Sequence, residues 1–402
     1  MTGRSRSPNP TEIQIAFDAR SLCGARTGVG TYTANLLHEL LRIDSTLRIL
    51  LVADQAVPAS TGLDPKRVQV LTSASRARNN FFWSNFALTR ALRKQRPELF
   101  HSPGYTVPLW PPRPALVTLH DISYAAHPEW YPYPLNAARK LWYRASARRV
   151  DAILTDSEFS RHEILRVYGV NPARVFRVHL GVNATTFRRT EDPGRLRDFR
   201  GRYRLPGRFI LHVGDIHPRR NLDRAAAAFR QVRSSYPQSR ELQFVLVGRK
   251  LLASEALEAA LQNESDSGVR SLGYVEEGDL PLFYSAAAAF LFPSLYEGFG
   301  LSVLEAMACG CPVIVARGTA CEEIAGTAAI AIDPQDVATM AEAVRALLTN
   351  KDVAARYSQA GLARAESFSW RRTAEETLAV YRKVLAAHEQ KAPLECGSLL
   401  PP

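Results

Sequence analysis

Two glutamates, Glu297 and Glu305, stand eight positions apart across a loop and the start of a helical pattern. The surrounding stretch, Phe290 to Ala316, reads FLFPSLYEGFGLSVLEAMACGCPVIVA. Its apolar run stops at Pro293, and a short helix is predicted from about Leu301 to Ala308. Gly310 and Pro312 then stop that helix before the β-branched strand VIVA. Glu297 falls in the loop, and Glu305 lies one turn into the helix. Gly298 and Gly300 bracket Phe299 and allow a backbone approach that a Cβ would block. The start of a helix at Leu301 offers N–H groups and partial positive charge to an anion such as a diphosphate. Carboxylates beside such a site are poor phosphate ligands but good acceptors for the hydroxyls of a ribose or a hexose. The competing reading is structural: acids near a helix start favour the macrodipole, and glycines punctuate loops.

Three other places carry chemistry-bearing residues. Pro218-Arg219-Arg220-Asn221 stands directly before a helical pattern. Two arginines there oppose the helix dipole, so an anion is expected, clamped bidentately by guanidinium groups. Ordinary surface arginines are the alternative. His120 ends the strand predicted over Ala115 to Asp121, where α/β sheets bind ligands, although a structural histidine fits the same place. Gly28-Val29-Gly30 precedes another helical pattern and could meet a phosphate or sugar. Thr33 holds the third glycine's place of a G-x-G-x-x-G, so a tight turn explains the pair as well.

The elements that must position these residues alternate strand and helix throughout, which implies parallel sheets. At 402 residues the chain suggests two domains. The first runs over 1–190 and opens with a buried strand, Ile13 to Ala19. The second spans 205–370 and restarts at Phe209 to Asp215. Arg188 to Arg208, charged and holding Pro and Gly, reads as the connection. A long amphipathic helix over 372–390 closes the chain. Ser157 or Asp156 is expected to cap the helix that follows the strand at Asp151.

The formal net charge of +12 calls for an anionic partner: a nucleotide, an acidic lipid surface or nucleic acid. The sequence contains no zinc-finger spacing or RNP-like motif, so nucleic acid is not expected. Lys140, Arg144 and Arg148, four apart, form a basic stripe that is either a solvated face or a contact for anionic lipid. No apolar run is long enough to span a membrane, and the polar, proline-broken leader lacks a signal-peptide core. A cytoplasmic protein, peripheral at the inner membrane face if the stripe meets lipid, is the expectation. Five scattered cysteines read as reduced thiols rather than as a metal site or redox pair. No D-x-D suggests a divalent ion.

Taken together, these motifs resemble those of the retaining GT-B glycosyltransferases of family 4, across nearly the whole chain and more densely in its second half. EGFGLSVLE resembles the family's E-x(7)-E motif, and PS-Y, EAMACG-PV and Glu323 fit its surroundings, with Glu322 replacing the proline of P-E-x-x-G. PRRN resembles the P-R-K-N form of the diphosphate segment, Arg220 standing for lysine. LHDISYAAHPEW resembles the segment whose histidine faces the donor sugar and acceptor, here His120. The resemblance implies an α/β fold of GT-B architecture, two Rossmann-like domains facing across a cleft, with the closing helix packed back on the first. It implies transfer of a hexosyl group, with retention, from GDP-mannose or a UDP-hexose to a glycan or lipid-linked acceptor. No cofactor or metal is expected beyond the nucleotide-sugar co-substrate. Arg219, Arg220 and the helix start near Gly300 would stabilise the departing diphosphate. Glu305 would accept ribose hydroxyls, Glu297 a hydroxyl of the transferred sugar, and the backbone of Phe299 to Leu301 would complete the contacts. Gly28 and Gly30 would approach the donor phosphates. A sugar-nucleotide epimerase of the same fold and a non-catalytic sugar-nucleotide sensor are the rival classes.

Overall fold

The computed structural model describes residues 12–24, 27–73, 80–131, 136–235 and 241–390. The leader, the final residues and Cys396 lie outside them. The first lobe is a seven-stranded parallel sheet in the order β3-β2-β1-β4-β5-β6-β7. Its strands are β1 (Ile13–Asp18), β2 (Leu47–Ala53), β3 (Val68–Thr72), β4 (Leu99–Ser102), β5 (Ala115–Thr118), β6 (Ala152–Thr155) and β7 (Val175–Arg177). The second lobe is a six-stranded parallel sheet in the order β10-β9-β8-β11-β12-β13. It comprises β8 (Arg208–Val213), β9 (Leu242–Val247), β10 (Val269–Gly273), β11 (Ala289–Phe292), β12 (Val313–Ala316) and β13 (Ile330–Ile332). Strands such as β11 and β12 are buried along their whole length, because helices cover both faces of a parallel sheet. In each sheet the strand order reverses once, between β1 and β4 and between β8 and β11. A crevice opens at the carboxyl ends of the strands at such a switch point.

The motif helix occupies Leu301–Ala308, as its punctuation predicted. Ser157 caps the Glu158–Tyr168 helix by accepting from Ser160 N, which decides between the two cap candidates. The segment between the two sheets contains a helix, Pro193–Tyr203, capped by Asp192 at the N–H groups of Gly194 and Arg195. Proline at its first position suits a helix start, where its missing N–H costs nothing. The closing helix spans Trp370–Glu389 and lies on the first lobe, where Tyr381 Oη meets the buried His101 Nδ1 at 2.6 Å and Thr373 donates to His179 O. Among the described residues no helix is long and apolar enough to cross a membrane.

The lobes meet along the motif. Tyr296, from the second lobe, is 2 % exposed and sits in the first lobe's apolar cluster, with Phe159, His127 and Trp130 around its ring. The Gly298 carbonyl accepts hydrogen bonds from the hydroxyls of Ser157 (2.7 Å) and Ser160 (3.1 Å). Glu323 accepts from the N–H groups of Glu158 (2.9 Å) and Phe159 (3.0 Å), the unpaired start of a helix in the opposite lobe, and from His179. A Cβ on Gly298 would lie 1.8 Å from the His120 carbonyl oxygen, backbone against backbone. Gly298→Ala must therefore part the lobes. We expect it to cost about 1–3 kcal/mol, read as a lowered melting temperature, with a larger radius of gyration in solution scattering. An unchanged radius and melting temperature would mean the seam yields without loss.

Candidate active site between the lobes

The second lobe's switch point gathers Arg219, Arg220 and Glu297. Arg219 and Arg220 lie in a single 3-10 turn, Pro218–Arg220, after β8. Asn221 ends that turn in the left-handed region (φ 58°), which asparagine tolerates, and its side-chain amide donates to the carbonyls of Pro293 and Pro334. The arginine turn is thus pinned to the end of β11, and Leu295 N donates to Arg219 O at 2.8 Å. Arg220 pairs closely with Glu297, and its Nη1 also lies 3.4 Å from Ser294 Oγ. Arg219 lies 3.9 Å from Glu297 and 3.2 Å from Asp121 of the first lobe. Two guanidinium groups and two carboxylates form one largely buried, lobe-spanning cluster. Arg220 Nε is buried there without a partner, a donor still to be satisfied. Burial depresses the Arg220 guanidinium, and the Glu297 carboxylate only partly offsets this.

His120 is brought to the same seam, but its ring does not offer a free nitrogen to the cleft. Nδ1 lies 2.8 Å from Asp156 Oδ2 and Nε2 lies 3.0 Å from Pro103 O. The edges of Tyr32 and Tyr105 close around it. A carbonyl can only accept, so Nε2 carries a proton, and His120 and Asp156 share another. Burial alone would lower the imidazole pKa, but Asp156 and the Pro103 carbonyl outweigh it and hold it above the usual value. Both ring nitrogens of His120 thus face protein atoms at the wall of the cleft.

The glycines divide. Gly300 has φ 98°, and a Cβ there would stand 2.8 Å from Cys321 Sγ; Gly298 faces the His120 carbonyl. The close approaches they permit in the structure are to protein atoms. Phe299 is 3 % exposed between His179 and Phe368, which leaves its backbone for any ligand. In the first lobe a Cβ on Gly30 would meet Ser21 O at 2.4 Å, whereas one on Gly28, exposed at the first position of the Gly28–Ile43 helix, would meet nothing described within 4 Å. The steric case for glycine holds at Gly30 and not at Gly28.

Glu305 and Leu301 line a separate cavity of 80 Å³ with Thr31, Asn35, Asn183 and Glu277. Burial drives the Glu305 carboxyl up to about 7, although Tyr284 Oη donates to it at 3.0 Å. A larger cavity of 970 Å³ lies in the first lobe beyond the ends of β1 and β4. Asp18, Arg20, Asp54, Tyr105, Trp142 and Tyr143 are among its lining residues. Asp121, Asp156, Ser157, Ser160 and Tyr296 were not singled out for the site by the sequence. Asp121 and Asp156 carry a signal in retrospect, as carboxylates just past the ends of strands, but nothing local says what they face.

These two facing lobes have the GT-B glycosyltransferase architecture. The sucrose-phosphate synthase of Thermosynechococcus elongatus superposes with a TM-score of 0.71 at 21% identity, covering 94% of this chain and all of that one (100%). Anabaena HepE, solved in complex with UDP and glucose, superposes equally at 0.71 and 17% identity, covering 92% and 100%. In sequence, residues 26–186 match Glycosyltransferase Family 4 and residues 207–350 match Glycosyl transferases group 1. The O-antigen chain mannosyltransferase B of Escherichia coli is 31% identical over 298 residues, 73% of this chain and 76% of that protein. The serotype-specific mannosyltransferase WbdA of Escherichia coli is 27% identical over 305 residues, 72% of this chain but 36% of that longer protein. The chain belongs to glycosyltransferase family 4, and it is a glycosyltransferase.

Glu305 sets a pH dependence. Its folded pKa of about 7 exceeds the ordinary 4.5, so the folded state holds the proton more tightly between those values. Stability therefore falls as pH rises from about 4.5 through about 7. Denaturant unfolding across that window should show this slope reduced in Glu305→Gln. An identical slope in the variant would assign the effect to other groups.

Proposed function

We propose that the chain transfers a hexosyl group, with mannose the first candidate, from a nucleoside diphosphate sugar to a saccharide acceptor with retained anomeric configuration. The observation that carries this reading is the paired arginine turn at the second switch point, buried against Glu297 and joined to the first lobe through Asp121. A departing diphosphate develops negative charge on its oxygens. Arg219 and Arg220 would exchange part of their contact with the carboxylates for those oxygens, and the unsatisfied Nε of Arg220 supplies a further donor. The first N–H groups of the Leu301–Ala308 helix add partial positive charge from the other side. With the guanidinium groups turned to phosphate, Glu297 is freed to accept a hydroxyl of the transferred sugar. Two fixed guanidinium groups and a helix start suffice for the leaving group, so metal-independent transfer is part of the proposal.

Glu305, in its own recess against Thr31 and Asn35, would accept the ribose hydroxyls. The acceptor would enter the first-lobe cavity, whose tyrosine faces suit pyranose rings and whose carboxylates suit hydroxyls. His120 is assigned a positioning role through its pairing with Asp156. The mannosyltransferase names among the relatives support mannose, and the HepE complex with UDP and glucose supports a nucleotide-sugar donor.

Thermal-shift titration with GDP-mannose, UDP-glucose and ADP-glucose tests the donor, since a ligand that binds the folded state raises its melting temperature. Stabilisation by none of them would overturn the reading. Arg220→Ala should lower donor turnover roughly 100- to 1000-fold, with Arg220→Lys recovering part of it. Initial rates under saturating donor measure this, and a rate equal to the unaltered protein's removes Arg220 from the diphosphate clamp.

A further inference from the structure

We propose that the face carrying Phe82, Phe86, Trp110 and Leu141 docks on an anionic phospholipid bilayer and sets the 970 Å³ cavity beside the membrane. These side chains are 49%, 67%, 72% and 69% exposed, and they are four of the eight large apolar residues left exposed among the described residues. They come from three segments packed into one face. Phe82 and Phe86 stack at 6.1 Å on the helical stretch that begins at Asn80. Asn85 Oδ1, one residue before Phe86, accepts from Leu109 N at 2.7 Å and holds Trp110 alongside. Trp142, one residue after Leu141, donates to Val107 O at 3.1 Å and meets Phe81 edge-on at 5.2 Å.

Burial in water-soluble folds gives no reason to hold three aromatic rings and a leucine outward on adjoining segments. Such a concentration marks an interaction site. The charge around it selects the partner. Residues 80–95, 107–113 and 136–149 contain no Asp or Glu, while Arg90, Arg93, Lys94, Lys140 and Arg144 stand on the two helical segments. A second copy meeting this face by two-fold symmetry would bring like charges together. An anionic headgroup layer instead neutralises them while the rings enter the interfacial zone, where Trp and Phe are favoured. The basic stripe singled out in the sequence contributes only in part. Arg144 and Arg148 are both exposed, but Arg148 donates to Tyr168 O at 3.2 Å.

The position of this face explains its use. Phe81, Arg139, Trp142 and Tyr143 line the cavity, so its wall is built by the immediate neighbours of the docking side chains. An acceptor saccharide tethered to lipid would reach the cavity without leaving the bilayer surface. That last step rests on the proposed function; the docking itself does not.

Co-sedimentation of the full chain with phosphatidylcholine vesicles, with and without phosphatidylglycerol, tests the proposal. The unaltered protein should bind the anionic vesicles at least about tenfold more than the neutral ones. Phe86→Ser with Trp110→Ser should lose about tenfold of that binding at any salt concentration, because apolar insertion is not screened. Lys140→Glu with Arg144→Glu should lose it chiefly at low salt. Both variants should keep the melting temperature and the nucleotide-sugar stabilisation of the unaltered chain, which separates a lost surface from a lost fold. Failure of the unaltered chain to bind anionic vesicles, or equal binding by the serine variant, overturns the proposal. So does light scattering that shows a dimer abolished by the serine variant without vesicle binding. Vesicle binding by a chain that no nucleotide sugar stabilises would sustain the docking and defeat the function proposed above.

Discussion

The closeness of two backbones, Gly298 of one lobe against the His120 carbonyl of the other, is the constraint on which the site depends. Only a residue without a Cβ allows the motif loop to come near enough for its carbonyl to take both Ser157 and Ser160 hydroxyls. Once that distance is fixed, neighbouring contacts fall into register. Tyr296 enters the first lobe's apolar cluster, and Glu323 reaches the open end of the Glu158–Tyr168 helix. The Glu323 carboxyl shows the balance: burial would raise its pKa, but His179 and the two backbone N–H groups more than offset this and hold it low. A carboxylate kept charged at a lobe boundary is an electrostatic tie of the kind a helix start favours.

The same closeness makes the charge cluster possible. Arg219 can contact Asp121 and approach Glu297 together only because the loops after β5 and β11 converge. Each lobe alone would leave charges of one sign short of partners in a partly buried place, an arrangement that costs several kcal/mol per ion. Brought together, two cations and two anions balance, and they surround the crevice where the second sheet reverses its strand order. An incoming diphosphate would compete with carboxylates for guanidinium groups already desolvated and oriented. Little reorganisation is then needed when charge develops on the leaving group.

The first lobe shows a different use of burial. His101, Thr118, Tyr32 and Tyr381 form a hydrogen-bonded chain through the lobe's interior, from the closing helix to the residues beside His120. Burial depresses the His101 imidazole to about 3, so it stays neutral within that chain. His120, equally enclosed, is held in the opposite direction by Asp156. Two buried histidines in one lobe are thus shifted in opposite directions because one has a carboxylate partner and the other has hydroxyls. The helix that ends the chain is in this way joined to the wall of the cleft.

By itself the sequence determined the alternation of strand and helix, the two-lobed α/β class, the bounds of the Leu301–Ala308 helix and the presence of an arginine pair before one helical pattern and a glutamate motif before another. These are local matters: apolar runs, glycine and proline stops, and charges opposed to a helix dipole. The helix within the connection between the sheets, Pro193–Tyr203, was not read from the sequence, because a proline at a helix start has the same local look as one in a loop. Only the tertiary structure decided what the site residues face. The ring partners of His120 come from Pro103 and Asp156, outside its own strand and loop. The reason for glycine at 298, the insertion of Tyr296 and the reach of Glu323 depend on contacts between residues more than 100 positions apart. Periodicity and capping act over a few residues, whereas the distance between two lobes is set by how their whole surfaces pack.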